Sequence, residues 1–467
     1  MNIYLPVEVK VRELEGKTLT ALAAAERGHT VILGNKKDTL NLAKAGHLPP
    51  GVVHDKSLTP GQYKIENFNR LKNHGHLITA QDEESGLLDE SYHRFAKRRF
   101  SEETVSLADQ IFTWGGHDQA SLQEIYPDYK SKFNATGSPR VDFWRSEFDG
   151  YYPDDTSSEN PTIFFASNFG SPIDENTFWD RIARLREAGY FERDPKMEKY
   201  IYENTAYQFR LLHRFVELIR DVADSFPEAQ VFVRPHPVES VAAWKMLLGT
   251  GSDVIVKREG SISGIIRNSS VLIHNGCTSA LEAAATGLPR IAYRPIPHPI
   301  EREIPNNLSI QVSSISEVKE AVRSILEKKR TESIEQAEKR AGEILEGRLS
   351  NLSGELAADR MVDAWTDLGE ADLYKTSTPH ELMASKPDES IDIKTALKHK
   401  AVQLRNAVTG QTRKGRSLDA SLKTSHKFPE LSDNEMNTLV QRLQKTLNRF
   451  DGVKKERFGE KSFIFFK

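Results

Sequence analysis

Short apolar runs rich in β-branched residues recur along the chain, each followed by a stretch with helical spacing. NIYLPVEV reads as a strand and LEGKTLTALAAAERG as a helix ending at Gly28. Leu14, Leu19, Leu22, Ala23 and Ala25 give that helix its core face, and HTVILG reads as the next strand. GVVHD, GHLITA, QIFTW and KFNATG continue the series. Strands alternating with helices predict a parallel sheet covered on both faces.

The alternation stops at Asp149–Pro161, where DGYYPDDTSSENP has the Pro, Ser and Asp content of a connection between domains. It restarts with TIFFASN, a long amphipathic helix from about Lys196 to Phe226, AQVFVRPHP, DVIVKRE, SSVLIHN, the helix ALEAAATG and PRIAYRP. Beyond Ser316 the pattern is helical and charged. Glu370–Glu389 reads as a loose connection, Ser432 with Glu435 opens a last helix through Leu447, and KSFIFFK closes the chain as a strand. No internal repeat is evident. The expected fold class is α/β, with two Rossmann-like domains facing each other over residues 1–150 and 160–345. A helical, basic extension would cover 346–467, part of it packing back on the first domain.

Composition narrows the class. A chain of 467 residues exceeds one ordinary core, and 38% hydrophobic with 28% charged residues suits a soluble globular protein. No uncharged apolar run approaches the ~20 residues of a membrane-spanning helix. The opening MNIYLPVEVKVRELE does not read as a signal peptide, and the single Cys277 excludes an internal disulfide framework. A cytoplasmic location is therefore expected. The net charge of −3 is uneven: Ile391–Lys467 carries 17 Lys and Arg against 8 Asp and Glu, a net +9, which leaves −12 on the other 390 residues. Such a tail is either a solvated helical face or a contact to an anionic membrane surface.

In open α/β sheets ligands bind beyond the carboxyl ends of the strands, which directs attention to four loops. The first carries Glu8, Lys10, Arg12, Glu13 and Glu15; the carboxylates suit a helix start, the two cations oppose its dipole and suit an anionic ligand. The second is Asp82-Glu83-Glu84-Ser85-Gly86, where adjacent carboxylates repel and one is raised towards the range of a general acid or base, unless the turn is simply solvated. In the third, Arg234-Pro235-His236-Pro237, two prolines restrain a histidine beside a cation, an arrangement for phosphate. The fourth is the turn Asn275–Ser279 after a strand. Gly276 permits close backbone approach, Thr278 and Ser279 present N–H and hydroxyl groups at a helix start, and Glu282 is placed for ribose hydroxyls; the plain alternative is Ser279 as an N-cap. The chain has no Asp-x-Asp, P-loop, G-x-S-x-G or H-E-x-x-H motif, and its 14 histidines lack ligand spacing, so no metal or cofactor is expected.

Two α/β halves with a nucleotide loop in the second resemble glycosyltransferases of the GT-B architecture. LPVEVKVRELEGKTLTALAAAERGHTVILG, TGSPRVDFWR and HKFPELSDNEM are similar to the bacterial surface carbohydrate biosynthesis protein family, over most of the chain. A second resemblance is to transferases of CMP-activated acidic sugars, sialic acid or Kdo, in which an acidic-acidic-Gly motif supplies the catalytic acid/base and a His-Pro motif contacts the CMP phosphate. Ser85 interrupts the first motif here; His236-Pro237 matches the second, which polyol-phosphate transferases also carry.

These resemblances imply a sugar transferase building a surface polysaccharide from a nucleotide-sugar donor and a glycan or lipid-linked acceptor, without nucleic acid. Arg234, His236, Pro237, Asn275, Gly276, Thr278, Ser279 and Glu282 would bind the nucleotide, and Lys10 and Arg12 the acceptor. Glu83 or Glu84 would be the catalytic carboxylate, with Asp82, Glu8 and Glu13 as further candidates. The rivals are a nucleotide-sugar 2-epimerase, a CDP-polyol phosphotransferase and a non-catalytic assembly protein.

Overall fold

A computed structural model of the chain describes residues 1–84, 87–152, 160–174, 178–187, 190–193, 195–249, 251–369, 375–385 and 427–467. Four expectations from the sequence lie partly outside these residues: Ser85 and Gly86 of the acidic motif, 153–159 of the connection Asp149–Pro161, 370–374 and 386–389 of the connection Glu370–Glu389, and the 391–426 part of the basic tail. The strands are β1 (Asn2–Val7), β2 (Thr30–Asn35), β3 (Val52–Asp55), β4 (Leu77–Gln81), β5 (Gln110–Phe112), β6 (Phe133–Asn134), β7 (Thr162–Ala166), β8 (Gln230–Arg234), β9 (Ile255–Val256), β10 (Val271–His274), β11 (Arg290–Tyr293), β12 (Ile310–Val312), β13 (Lys454–Gly459) and β14 (Ser462–Phe466). The chain divides into two compact units, residues 1–85, 92–143 and 349–467, and residues 86–91 and 144–348.

The first unit holds an eight-stranded sheet in the order β13-β14-β2-β1-β3-β4-β5-β6. β1 to β6 run parallel, while β14 lies antiparallel to β2, with Ile464 opposite Ile32, and β13 antiparallel to β14. The C-terminal segment is thus not purely helical: it ends in a hairpin that extends the sheet past β2. Ser432 caps the helix Asp433–Leu447 by accepting the Glu435 N–H at 3.2 Å.

The first helix spans Lys10–Glu26, starting four residues before the expected Leu14. Its early start follows from Glu13, whose carboxylate accepts the N–H groups of Glu8 (2.9 Å) and Val9 (3.0 Å). Twelve of its 17 residues are buried. Small side chains (Gly16, Ala21, Ala23, Ala24, Ala25) permit close packing all round, and Thr18 and Thr20 satisfy their hydroxyls on the carbonyls four residues back. The segment TGSPRVDFWR packs here. A Cβ on Gly16 would come within 3.3 Å of Pro139 and Arg140, and Gly137, at φ +84°, lies against Asn351.

The second unit holds a six-stranded, all-parallel sheet in the order β12-β11-β10-β7-β8-β9. Its core joins Ile163, Phe165, Val231, Val233, Ile273 and Ile291 of the strands to Leu211, Phe215, Leu218 and Val222 of the long helix Pro195–Ser225. Each unit is therefore a Rossmann-like α/β layer. Each also has a topological switch point, where successive strands leave to opposite sides: β1/β3 in the first sheet and β7/β10 in the second. Among the described residues, no helix is long and apolar enough to cross a membrane.

Candidate functional site

At the β1/β3 switch point the first unit gathers alternating charges. Glu8 is contacted by Lys36 (3.3 Å), Lys56 (3.3 Å) and Lys427 (3.0 Å), while Lys36 and Lys64 also hold Asp55 at 3.2 and 2.8 Å. Burial would raise the Glu8 carboxyl, but the lysines outweigh it and hold it down at about 2. Glu13, fully buried, receives Lys17 at 3.1 Å besides the two backbone donors; burial is again outweighed and its carboxyl is lowered. Lys10 donates to the Glu430 carbonyl (2.5 Å) and to Glu435 (2.6 Å), tying the first helix to the C-terminal one. Two residues expected at the acceptor thus separate: Lys10 is engaged by the chain's own C-terminal segment, while Arg12 makes an exposed pair with Glu84.

The three adjacent carboxylates have three different environments. Asp82 is buried, accepts from Arg99 (2.7 Å) and from the Glu84 N–H (2.9 Å), and is raised by burial despite Arg99. Glu84, paired with Arg12, is lowered: the guanidinium outweighs its burial. Glu83 is buried and raised, first by burial, with the Glu13 charge adding to it against Lys17, Arg140 and Arg12. Its Oε2 has no hydrogen-bond partner among the described residues. Glu83 lines a cavity of about 10 Å³ together with Glu13, Lys17, His54, Gln81 and Arg140, roughly the space of one water. A carboxyl raised in this way holds a proton more readily than an exposed glutamate and is a stronger base once ionised.

In the second unit the expected phosphate loops meet at the carboxyl edge of the sheet, joined through the β7 loop between them. The Ser167 N–H donates to the Arg234 carbonyl (3.2 Å) and its Oγ accepts the His236 N–H (3.1 Å), while Asn275 Nδ2 donates to the Asn168 carbonyl (3.1 Å). Glu239, fully buried, draws the loops together, accepting from Ser167 Oγ, Phe169 N (2.6 Å), Gly170 N (3.1 Å), His236 N (3.1 Å) and Trp244 Nε1 (3.0 Å). His236 Nδ1 accepts the Val238 N–H at 3.4 Å, so in the neutral ring Nε2 carries the proton and is a donor. The Arg234 guanidinium is lowered by burial, against the fields of Glu282 and Glu259, and its Nη1 has no hydrogen-bond partner among the described residues.

The turn after β10 is set by His274. Its Nδ1 accepts the Gly276 N–H (3.0 Å) and its Nε2 donates to Ser309 Oγ (2.8 Å), which donates to the Pro305 carbonyl (2.8 Å). Gly276 has φ +87°, the conformation that favours glycine. The two hydroxyls do not act alike. Thr278 is exposed, whereas Ser279 is buried with its Oγ 3.2 Å from Cys277 Sγ; neither side chain caps the helix Ser279–Ala285. The expectation of two outward hydroxyls, or of Ser279 as N-cap, is corrected accordingly: packing against Cys277 turns the serine inward. Glu282 is buried rather than poised in solvent.

The sequence reading missed a repeated turn. His236-Pro237-Val238-Glu239 follows Arg234-Pro235 at the end of β8, and His298-Pro299-Ile300-Glu301 follows Arg294-Pro295 after β11. In both, the histidine N–H donates to the glutamate three residues on (3.1 and 3.0 Å). In both, the glutamate N–H returns to the histidine carbonyl (2.8 and 3.0 Å), and Nδ1 accepts the N–H two residues on (3.4 and 3.3 Å). The shared H-P-aliphatic-E string at two strand exits was the available signal. It was hidden because Ile296-Pro297 spaces the second copy two residues further from its arginine. The second turn borders a cavity of about 170 Å³, also missed, which contains Glu301, Arg294 and Asn275 in its lining.

No family model matches the chain, and no curated protein does. Among solved structures it is similar to a putative UDP-N-acetylglucosamine 2-epimerase from Listeria monocytogenes, at 13% identity over 81% of this chain and 99% of that one, with a TM-score of 0.49. It is also similar to S. aureus MnaA in a UDP co-structure (11% identity, 80% and 99% covered, TM-score 0.48). A third is the wall teichoic acid polymerase TagF (8% identity, 63% and 68% covered, TM-score 0.40).

Proposed function

We propose that the protein is a sugar transferase of surface-polysaccharide synthesis that takes its sugar from a nucleotide donor. The observation that carries this reading is Arg234: a largely buried guanidinium whose Nη1 has no hydrogen-bond partner among the described residues, beside a histidine fixed as an Nε2–H donor, at the carboxyl edge of a Rossmann-like sheet. Burying such a donor unmet is costly, and a phosphate would satisfy it. The exposed Thr278 hydroxyl would add a further donor, with Asn275 serving the rest of the nucleotide.

In the transfer step the acceptor hydroxyl oxygen bonds to the anomeric carbon as the glycosyl–phosphate bond breaks. The nucleotide leaves with the bonding electron pair, and the hydroxyl proton passes to Glu83. Arg234 and His236 stabilise the charge on the leaving phosphate, and Arg12 serves the acceptor. Glu8 and Glu13, held as lowered carboxylates by lysines, are poor bases beside Glu83. The CMP-linked acidic-sugar form of the proposal rests on the likeness at Asp82–Gly86 and His236-Pro237.

A thermal-shift panel of CMP, CDP, UMP and UDP tests the reading and identifies the base. A binder gains about 2.7 kcal/mol at a hundredfold excess over Kd. His236→Ala should weaken that binding in calorimetry by about tenfold, the size of one charge-assisted hydrogen bond. A protein stabilised by none of the four nucleotides would sink the proposal. Release of free sugar from donor alone would instead identify an epimerase.

A further inference from the structure

The cavity beside the second turn lies at the β7/β10 switch point, bounded by the loops after β7, β10 and β11 and by the long helix Pro195–Ser225. Its volume, about 170 Å³, is well above the roughly 10–15 Å³ one water needs and below the roughly 300–1,000 Å³ of pockets for whole drug-sized ligands. Its chemistry differs from that of the phosphate loops. The three guanidiniums in its wall are already engaged: Arg294 pairs with Glu301 and also donates to Gln311 (2.5 Å), Arg302 pairs with Asp89 (3.3 Å), and Arg181, from the helix Phe178–Glu187, also has a partner.

The unmet groups are acceptors. Gln208 Oε1 and Asn275 Oδ1 are both buried with no hydrogen-bond partner among the described residues, and both belong to the lining. Phe169, Tyr207 and Tyr293 supply aromatic surface in the same wall. Orphaned acceptors call for O–H or N–H donors, and aromatic rings for a C–H face. A carboxylate or phosphate would instead bring negative charge against two carbonyl oxygens and Glu301.

We infer that this cavity binds a neutral hydroxyl-bearing group, a sugar ring or short polyol, next to the nucleotide turn that shares Asn275. The inference deepens the proposed function, on which it rests for the identity of that neighbouring turn. If the cavity receives the transferred group, that group is uncharged, and the acidic-sugar form of the proposal gives way to a neutral one.

Saturation-transfer NMR on the full chain tests this with glucose, N-acetylglucosamine, glycerol and N-acetylneuraminic acid at equal concentrations. At least one neutral compound should receive saturation and the sugar acid should not. Gln208→Met, which keeps the length of the side chain and removes the acceptor, should weaken the neutral ligand roughly threefold to tenfold, the loss of one neutral hydrogen bond. Preference for the acid, no binding by any compound, or unchanged affinity in Gln208→Met overturns the inference; if the variant does not fold, the wild-type selectivity still decides. The nucleotide panel on the same samples separates the two proposals. Nucleotide binding without sugar binding removes only the cavity's role, and sugar binding without nucleotide binding removes only the transferase reading.

Discussion

Three neighbouring carboxylates, chemically almost alike, leave the fold with different acidities because each meets a different partner. Asp82 faces Arg99, Glu84 faces Arg12 in solvent, and Glu83 faces a buried space with an oxygen left over. Repulsion among adjacent acids was legible in the sequence; which one is raised was not, since it depends on Glu13 and Lys17 in a helix some 65 residues away. The raised group has a sign that can be tested. A carboxyl whose folded pKa lies above its unfolded value weakens folding once pH exceeds that unfolded value. Glu83→Gln should therefore raise Tm at pH 8 and leave it nearly unchanged at pH 4. The same variant should lower transfer about 100-fold or more, the usual share of a general base, with nucleotide stabilisation retained. A variant that is less stable at pH 8 would show that Glu83 is well solvated there, and full activity would remove it from the mechanism.

Among elements, most strands of both sheets were legible because β-branched runs and 3.6-residue spacing are local properties, while β12, only three residues long, was too short to give such a run. The hairpin's first strand was not legible either: KKERFG is charged, and only its pairing with the apolar SFIFF makes it a strand. Nor was the purpose of TGSPRVDFWR legible, since its partner is distant in sequence. Asp142, fully buried, accepts from Asn351 Nδ2 (2.6 Å) and from the N–H groups of Ala357 (2.9 Å) and Ala358 (3.1 Å) at the start of the helix Ala357–Leu368. Asn351 in turn donates to the Ser138 carbonyl (3.0 Å) and accepts its N–H (3.2 Å). One side chain thus caps a helix that covers the first helix of the chain. Asp142→Ala leaves two or more buried donors unmet and should cost about 3 kcal/mol. Chemical denaturation would register this as a lower midpoint at constant slope; a loss under 1 kcal/mol would mean that water replaces the carboxylate without strain.

At the scale of the whole molecule, both units bury neutral imidazoles. His54 lies against Phe112 and Trp365 with Nδ1 3.0 Å from Thr79 Oγ1, and burial lowers its pKa to about 3. His274 in the second unit is lowered, also by burial, to about 3, and its Nδ1 already accepts the Gly276 N–H, leaving no place for a second proton. Folded values below the ordinary 6.5 mean that the unfolded chain binds protons that the folded one refuses. The stability these rings contribute is complete above pH 6.5 and is lost as pH falls from there towards 3. Between pH 7 and pH 5 each should cost its unit about 2 kcal/mol, a steeper loss than carboxylates, which titrate lower, would produce in that interval. His54 and His274 occupy different units, so the effect is separable by mutation. Calorimetric unfolding of His274→Gln, which keeps a hydrogen-bonding side chain but has no imidazole to titrate, should show a flatter dependence on pH between 7 and 5 than the wild type. An equal slope in the two proteins would mean that His274 is protonated in the folded state and that the turn presenting Gly276 and Thr278 is held by something other than this imidazole.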